Sequence, residues 1–391
     1  MVSPLMLLVA ALAMFFISGL AAYVGLLVGR NNIEKANHVS SGILVIMMVL
    51  GVAMTIPSVF FSEQFGYFLG ARGEFFQLSV DYLRIFALSF PLLMVGRGLD
   101  ILILNDGSPR YSFVLNIVVT LANLGLNIFA VAVLGWGIKG LAAATVISSG
   151  IQLLGGLWYF LKKAKVLHLA VPSFHIPTIL RIVYNGFSDF AMMIVEAVMV
   201  FVINIAFAKF LTPAHFEAYA TVSIIMTLFY GIYMGASMGL QPMFSQMMGR
   251  KEFHNLTNLL NYSVKKTMGY GLLVYLLLIP VIKYILMLFI KDPATVELGR
   301  FFYLTLGAAT LFSNYPLQTG VFFTAINRPM ESAIISAFRT LVFIPIMVYV
   351  LIMHIGAGGV ALGFILTDIL MILGLMSFMS KTDLSKLKVY D

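Results

Sequence analysis

Long apolar runs separated by short polar breaks recur along the whole chain, near residues 4–29, 40–62, 80–104, 111–134, 138–161, 186–208, 217–242, 264–290, 299–323, 331–353 and 357–380. About 20 apolar residues in helical form cross the hydrocarbon core of a bilayer, and every run reaches that length. Backbone groups in lipid have no water to bond, so each run predicts a helix whose N–H and C=O groups pair internally. No stretch alternates apolar and polar positions strictly enough to predict barrel strands. The first run lacks the basic leader of a cleaved signal and is too long for one, so it too reads as a span. The longest break, 162–185, holds three lysines and two prolines and cannot cross a membrane. It separates five runs from six. The pattern predicts an all-α, polytopic integral membrane protein of about 11 transmembrane helices in two lobes: residues 1–161, a linker at 162–185, and residues 186–391.

Composition narrows the class. Of 391 residues, 61% are hydrophobic and 10% charged, against about 25% charged in soluble domains. A net charge of +8 would suit nucleic acid in a soluble protein, but no basic soluble module exists here to carry it. The cations sort by side of the membrane instead. Alternate breaks hold Arg30, Lys35, Arg110, Lys162, Lys163, Lys165, Arg181, Arg250, Lys251, Lys265, Lys266, Arg328, Lys381, Lys386 and Lys388. The opposite breaks hold Arg72, Lys139, Lys209, Lys283, Lys291 and Arg300. Cation-rich loops face the cytoplasm, which predicts a plasma-membrane protein with a cytoplasmic C-terminus and, for eleven spans, an outer N-terminus.

An offset of 220 residues aligns landmarks of the two lobes. Gly29-Arg30 falls on Gly249-Arg250, and Pro109 on Pro329; Gly135–Gly140 matches Gly356–Gly359 with one slip. The offset covers an even number of spans, so the repeat is parallel, about an axis along the membrane normal. The lobes are therefore expected to be pseudo-symmetric.

Polar residues inside the spans mark candidate chemistry, because a mid-bilayer acid costs about 2.5–3.5 kcal/mol and needs a cavity or a partner. Asp189, Glu196 and Asn204 share one face of a helix at about 100° per residue. A carboxylate in such a line holds one cation or one proton at a time, which suits exchange; it could equally be a structural acid bonded to a neighbouring helix. Asn116, Thr120, Asn123 and Asn127 form an uncharged stripe, either interhelical glue or the wall of a substrate cavity. Tyr230, Tyr233, Ser237 and Gln241 follow a similar spacing, and tyrosine faces can hold a cation. Pro316 can open backbone near Asn314 and Gln318. Arg97 with Asp100, Asp81 with Arg84, and Arg339 with Asp368 are expected to pair. Met192, Met193, Met199, Met226, Met234 and Met238 cluster as either adaptable binding surface or ordinary filler.

Several classes fall away. The chain has no cysteine, so thiol catalysis, disulfides and zinc–cysteine sites are excluded. No phosphate-binding loop and no pair of histidines at metalloprotease spacing occurs. Clustered acids or a Ser–His pair at one depth, which a lipid-modifying membrane enzyme would need, are missing too. No enzyme, no metal site and no cofactor is expected.

Asn105–Arg110, Asn123–Asn127, Gly135–Thr145, Gly239–Pro242 before Gly249-Arg250, and Arg339 with Pro345, Gly358–Gly363 and Asp368 resemble, in serial order over the whole chain, the multidrug and toxic compound extrusion (MATE) transporters. The resemblance implies two lobes of six helices, with the first family helix missing here, and export of organic cations or drugs against Na⁺ or H⁺. It places Glu196 on the acid of the sodium-coupled branch, and the shared helix face makes Asp189 and Asn204 the expected assisting groups. The polar stripes described above, with Asn314 and Gln318 beside Pro316, give the candidate substrate surface: Asn116, Asn123, Asn127, Tyr230, Tyr233, Asn314 and Gln318. Two positions depart from the family: Asn127 stands where many bacterial members have aspartate, and Tyr315 where an acid precedes Gln318. The implied partners are a small, cationic substrate and the bilayer. The alternatives are a lipid-linked oligosaccharide flippase of the same superfamily, which needs a more cationic cavity, or a transport-incompetent remnant.

Overall fold

A computed structural model describes residues 3–68 and 73–381, apart from the side chains of 3–5, 7, 8, 68, 74, 75, 193, 194, 196, 197, 380 and 381. Among the described residues every regular element is helical: α1 (Ser3–Gly29), α2 (Ile33–Phe60), α3 (Ser62–Phe68), α4 (Glu74–Phe86), α5 (Ser89–Asn105), α6 (Pro109–Ile128), α7 (Gly137–Lys162), α8 (Ile176–Phe210), α9 (Pro213–Gly249), α10 (Phe253–Leu278), α11 (Ile282–Met287), α12 (Pro293–Ala325), α13 (Pro329–Ala337), α14 (Ile344–Ile355) and α15 (Gly358–Lys381). Phe129–Val133 extends α6 as a π-helical turn, and Phe338–Phe343 joins α13 to α14 in the same way.

A helix or helix pair lies at each of the eleven apolar runs. Seven of the described helices are long and apolar enough to cross a membrane by themselves, eight with one bent pair counted. Three details differ from the sequence pattern. The span expected at 80–104 is α4 and α5, bent by 45° at a short break. Pro91 has no N–H to bond the Ala87 carbonyl, and that carbonyl accepts instead from the Thr55 hydroxyl (2.7 Å) and the Phe90 N–H (3.1 Å). The span expected at 264–290 is really α10, begun earlier and ended before Pro280, followed by the short α11. Pro242 and Pro316, by contrast, sit inside continuous helices.

The chain divides into two compact units, 1–190 and 191–391, with the boundary inside α8. In the first unit α1 is the central helix, with 78% of its apolar window buried. Its core joins Leu20, Val24, Ile43, Met47, Leu99 and Tyr159. The early part of α8 lies backbone-close on α1. A Cβ added to Gly19 would stand 1.9 Å from the Ile182 oxygen, and one added to Gly186 would stand 1.8 Å from the Phe15 oxygen. Only small residues allow helices in lipid to approach so closely. At the other extreme, 11% of the α6 window is buried, and Phe113, Ile117, Val118, Leu121 and Leu124 point outward. In the second unit α9 packs along α12, and α12 and α14 along α15. Phe207, Val222, Phe229, Phe302, Tyr303 and Val348 fill that core. Asp292 caps α12, accepting from the Thr295 N–H (2.9 Å) and hydroxyl (2.7 Å). The Thr295 hydroxyl and N–H hold this carboxyl below the usual carboxylate range. The cap is therefore whole at neutral pH and weakens only as pH falls through that lowered value.

The internal repeat is visible bond by bond. At the end of α1, the N–H groups of Arg30, Asn31 and Asn32 donate to Leu26, Val28 and Leu27; at the end of α9, those of Arg250, Lys251 and Glu252 donate to Gln246, Met248 and Met247. After α5, the N–H groups of Asp106, Gly107 and Ser108 bond Leu102, Leu104 and Ile103; after α12, those of Ile326, Asn327 and Arg328 bond Phe322, Thr324 and Phe323. The left-handed residues also coincide: Asn31 with Lys251, and Gly107 with Asn327. Each is a helix end closed by one residue at positive φ, repeated at the offset of 220 seen in the sequence.

Candidate functional site

Polar side chains gather in both units, and the second also holds a pair of adjoining cavities. In the first unit the stripe on α6 meets α5 and α7. Asp100 on α5 accepts from the Ser112 hydroxyl (2.6 Å) and from the Asn116 amide (3.0 and 3.1 Å). Asn123 donates to Ser148 on α7 (3.1 Å), and Asn127 donates to Asn123 (3.1 Å). The Asn127 side-chain oxygen and the Gln152 amide nitrogen are buried without a hydrogen-bond partner among the described residues. The stripe therefore works partly as interhelical glue and keeps unused polar capacity where α6 meets α7. Asp189 also belongs to this unit: the Ser18 hydroxyl on α1 hydrogen-bonds its carboxylate.

The expected local pairs are corrected here. No Arg97–Asp100 ion pair forms among the described residues; Asp100 turns to α6, where two donors at fixed helical spacing satisfy it better than one flexible neighbour. Asp81 pairs with Lys139 (3.0 Å), and Arg84 with Glu63 (3.0 Å) and Ser62 (2.7 Å). Contacts between helices override the i,i+3 spacing.

Asp106 has a structural task that its motif alone does not disclose. Buried after α5, it accepts from the Tyr159 hydroxyl (2.5 Å) and from the N–H groups of Lys165 (2.8 Å), Val166 and Leu167 (both 2.7 Å). Ser41 and Asn37 accept from the Ala170 and His168 N–H groups (both 2.9 Å). The break at 162–185 is thus fastened to the first unit along its length.

The second unit holds a cavity of about 460 Å³ between α8, α9, α12 and α15. Met199, Phe216, Tyr219, Met226, Leu306 and Phe364 give it an apolar wall; Asn204, Ser223, Thr227, Tyr230, Thr310 and Ser313 present polar atoms. A second cavity of about 240 Å³ shares Met199 and Tyr230 with it and is bounded by Met192, Val195, Met234, Pro316 and Arg339. Four of the six clustered methionines therefore line these spaces. The Arg339–Asp368 pair borders this space, for Arg339 lines the second cavity and Ser313, bonded to both partners, lines the larger. Arg339 donates to Asp368 at 2.6 and 3.2 Å and to the Ser313 hydroxyl at 3.0 Å; Ser313 in turn donates to Asp368 at 2.5 Å. The Tyr230 hydroxyl bonds the same guanidinium. Arg339 sits in the π-helical turn, a local widening that is frequent at functional sites.

The expected substrate residues separate. Tyr230 lines the larger cavity, as does Asn204, the residue expected to assist ion coupling. Tyr233 is fully buried beside Thr310. Asn314 and Gln318 form a closed network with α10: Ser263 donates to Gln318 (2.5 Å), Gln318 donates to Thr267 and to Asn314 (2.6 Å each), and Asn314 donates to the Val264 carbonyl (2.9 Å). Asn116, Asn123 and Asn127 belong to the first unit. Glu196 occupies the α8 turn between Val195 and Met199, both cavity-lining; its side chain lies outside the described residues, as do those of Met193 and the other positions named above. Sequence reasoning missed Ser223, Thr227, Thr310 and Ser313, hydroxyl residues too common in membrane helices to stand out. Among the described residues no group of acids and histidines is placed to hold a metal ion.

The family model described as MatE matches residues 1–129 and 190–350. The multidrug export protein MepA of Staphylococcus saprophyticus is 28% identical over 214 residues, 53% of this chain and 46% of that protein. MepA of Staphylococcus aureus is 29% identical over 172 residues, 43% of this chain and 37% of that protein. The chain thus spans less than half the length of the curated relatives it matches. Among solved structures, an outward-facing conformation of a multidrug resistance MATE family transporter of the MOP superfamily aligns with a TM-score of 0.90 at 19% identity, over 98% of this chain and 87% of that one. A likeness at that identity establishes the fold.

Proposed function

Because the chain belongs to the MatE family, whose members are transporters rather than enzymes, we propose that it is a secondary-active antiporter exporting small organic cations, drugs among them, from the cytoplasm across the plasma membrane in exchange for Na⁺ or H⁺. The observation that carries this reading is the 460 Å³ cavity. Its size lies within the range of small-molecule sites, which are mostly apolar with a few placed polar groups. The faces of Tyr219 and Tyr230 and the acceptors of Asn204 and Thr310 suit a lipophilic cation. Flexible thioethers suit varied shapes. The one cation lining these two cavities, Arg339, is neutralised by Asp368, so an anionic pyrophosphate finds no free charge there. That weighs against the flippase alternative.

Exchange needs a group whose two occupants bind the two conformations differently. In this reading Glu196 is that group, with Asp189 and Asn204 on the same helix assisting. The test is gradient-driven uptake of a fluorescent organic cation into everted vesicles. Glu196→Gln is expected to abolish uptake while protein in the membrane stays constant; unchanged uptake would remove the coupling assignment.

A further inference from the structure

The first unit carries an open pocket of about 870 Å³ where α6 begins and α7 ends, walled by Gly107, Arg110, Tyr111, Val114, Lys163 and Lys165 among others. Its three cations are exposed. The Lys163 ammonium stands 4.7 Å over the Trp158 ring and 5.5 Å over the Tyr111 ring. Lys165 leans on the Gly107 carbonyl at 3.2 Å. Among the described residues none of the three cations is in an ion pair. Among the described residues the carboxylate bonded at this corner, Asp106, is buried and saturated by four donors. Val114 both lines the pocket and begins the outward apolar strip of α6, which continues through Ile117, Val118 and Leu121. Positive charge, an aromatic pair and an apolar strip therefore follow one another in the order in which a bilayer presents phosphate, interface and hydrocarbon.

The second unit shows that the fold alone does not produce this. At the offset of 220 residues Arg328 replaces Ser108 and Glu331 replaces Tyr111. Glu331 closes on Arg328 in an ion pair. The turn is the same, but its charge is cancelled.

We propose that the corner between α6 and α7 is a binding site for an anionic phospholipid, its phosphate held among Arg110, Lys163 and Lys165 and its acyl chains laid along the exposed face of α6. The test uses the full chain in neutral detergent, titrated with phosphatidylglycerol, phosphatidylcholine or inorganic phosphate, with retained lipid read by native mass spectrometry. Phosphatidylglycerol is expected to be retained in preference to phosphatidylcholine. Each of Arg110→Gln and Lys163→Gln should weaken it about fivefold, and both combined with Lys165→Gln about a hundredfold. Lys265→Gln with Lys266→Gln, two exposed cations of α10 in the second unit, should leave it unchanged. Arg110 makes no hydrogen bond among the described residues, so its variant reads out even if the triple variant fails to fold. An undiminished preference in Arg110→Gln, an equal loss in the Lys265/Lys266 control, or displacement of the lipid by inorganic phosphate at matching concentration would each overturn the assignment.

Discussion

At the scale of single residues, the Arg339–Asp368 pair shows how charge is managed at membrane depth. Both side chains are almost wholly buried, and Ser313 and Tyr230 take up further hydrogen-bonding capacity. Removing one partner of such a pair costs about 3–5 kcal/mol, whereas replacing both with apolar residues is often neutral. Asp368→Asn is therefore expected to lower thermal stability in detergent sharply, and Arg339→Met with Asp368→Leu to recover most of it. Equal losses in the two variants would show that packing, not charge, dominates there. This pair was legible in the sequence because few charges occur inside these spans. Arg97–Asp100 and Asp81–Arg84 were misread because spacing along one helix says nothing about better donors on the next. The fastening by Asp106 was hidden for a related reason: three of its four donors are backbone N–H groups, which no sequence motif displays.

At the scale of elements, the positions of the helices followed from apolar length alone, since lipid leaves the backbone no alternative. Where they bend did not. Pro91 follows a break in its span, where Thr55 bonds the Ala87 carbonyl, whereas Pro242 and Pro316 lie inside continuous helices, so the presence of a proline alone does not tell where a span bends. The helix-end turns were legible as Gly and Pro landmarks, and their geometry makes a prediction with opposite signs. Gly107 sits at φ +75 in open space, where an L side chain costs about 1–2 kcal/mol. Gly150 lies in regular helix with nothing near its missing Cβ, where Ala gains about 1 kcal/mol. Gly107→Ala should lower the melting temperature and Gly150→Ala raise it. Thermal unfolding in one detergent checks both, and shifts of the same sign would contradict the left-handed turn.

At the scale of the whole molecule, the two-fold repeat and the sorting of cations are the features that organise everything else. The chain contains no cysteine, so single cysteines can be introduced without background. Cysteines at Lys163 and Lys251 should resist an impermeant maleimide in intact cells and react after permeabilisation. Those at Lys139 and Lys291 should react at once. Labelling of all four in intact cells would refute the sidedness expected from the distribution of cations. The cavity of the second unit was only half legible: Tyr230, Asn204 and the methionines were visible by spacing, but the hydroxyls that complete its wall were not.

The matched turns after α5 and α12 have a consequence for how the two halves specialise. Their backbones agree bond for bond, yet one presents Asp106 and Tyr111 where the other presents Ile326 and Glu331. Shape and errand are thus stored separately: the scaffold is common property of both copies, while among the described residues the strap is anchored and the basic mouth opened at the first turn, at positions that the bend itself does not need.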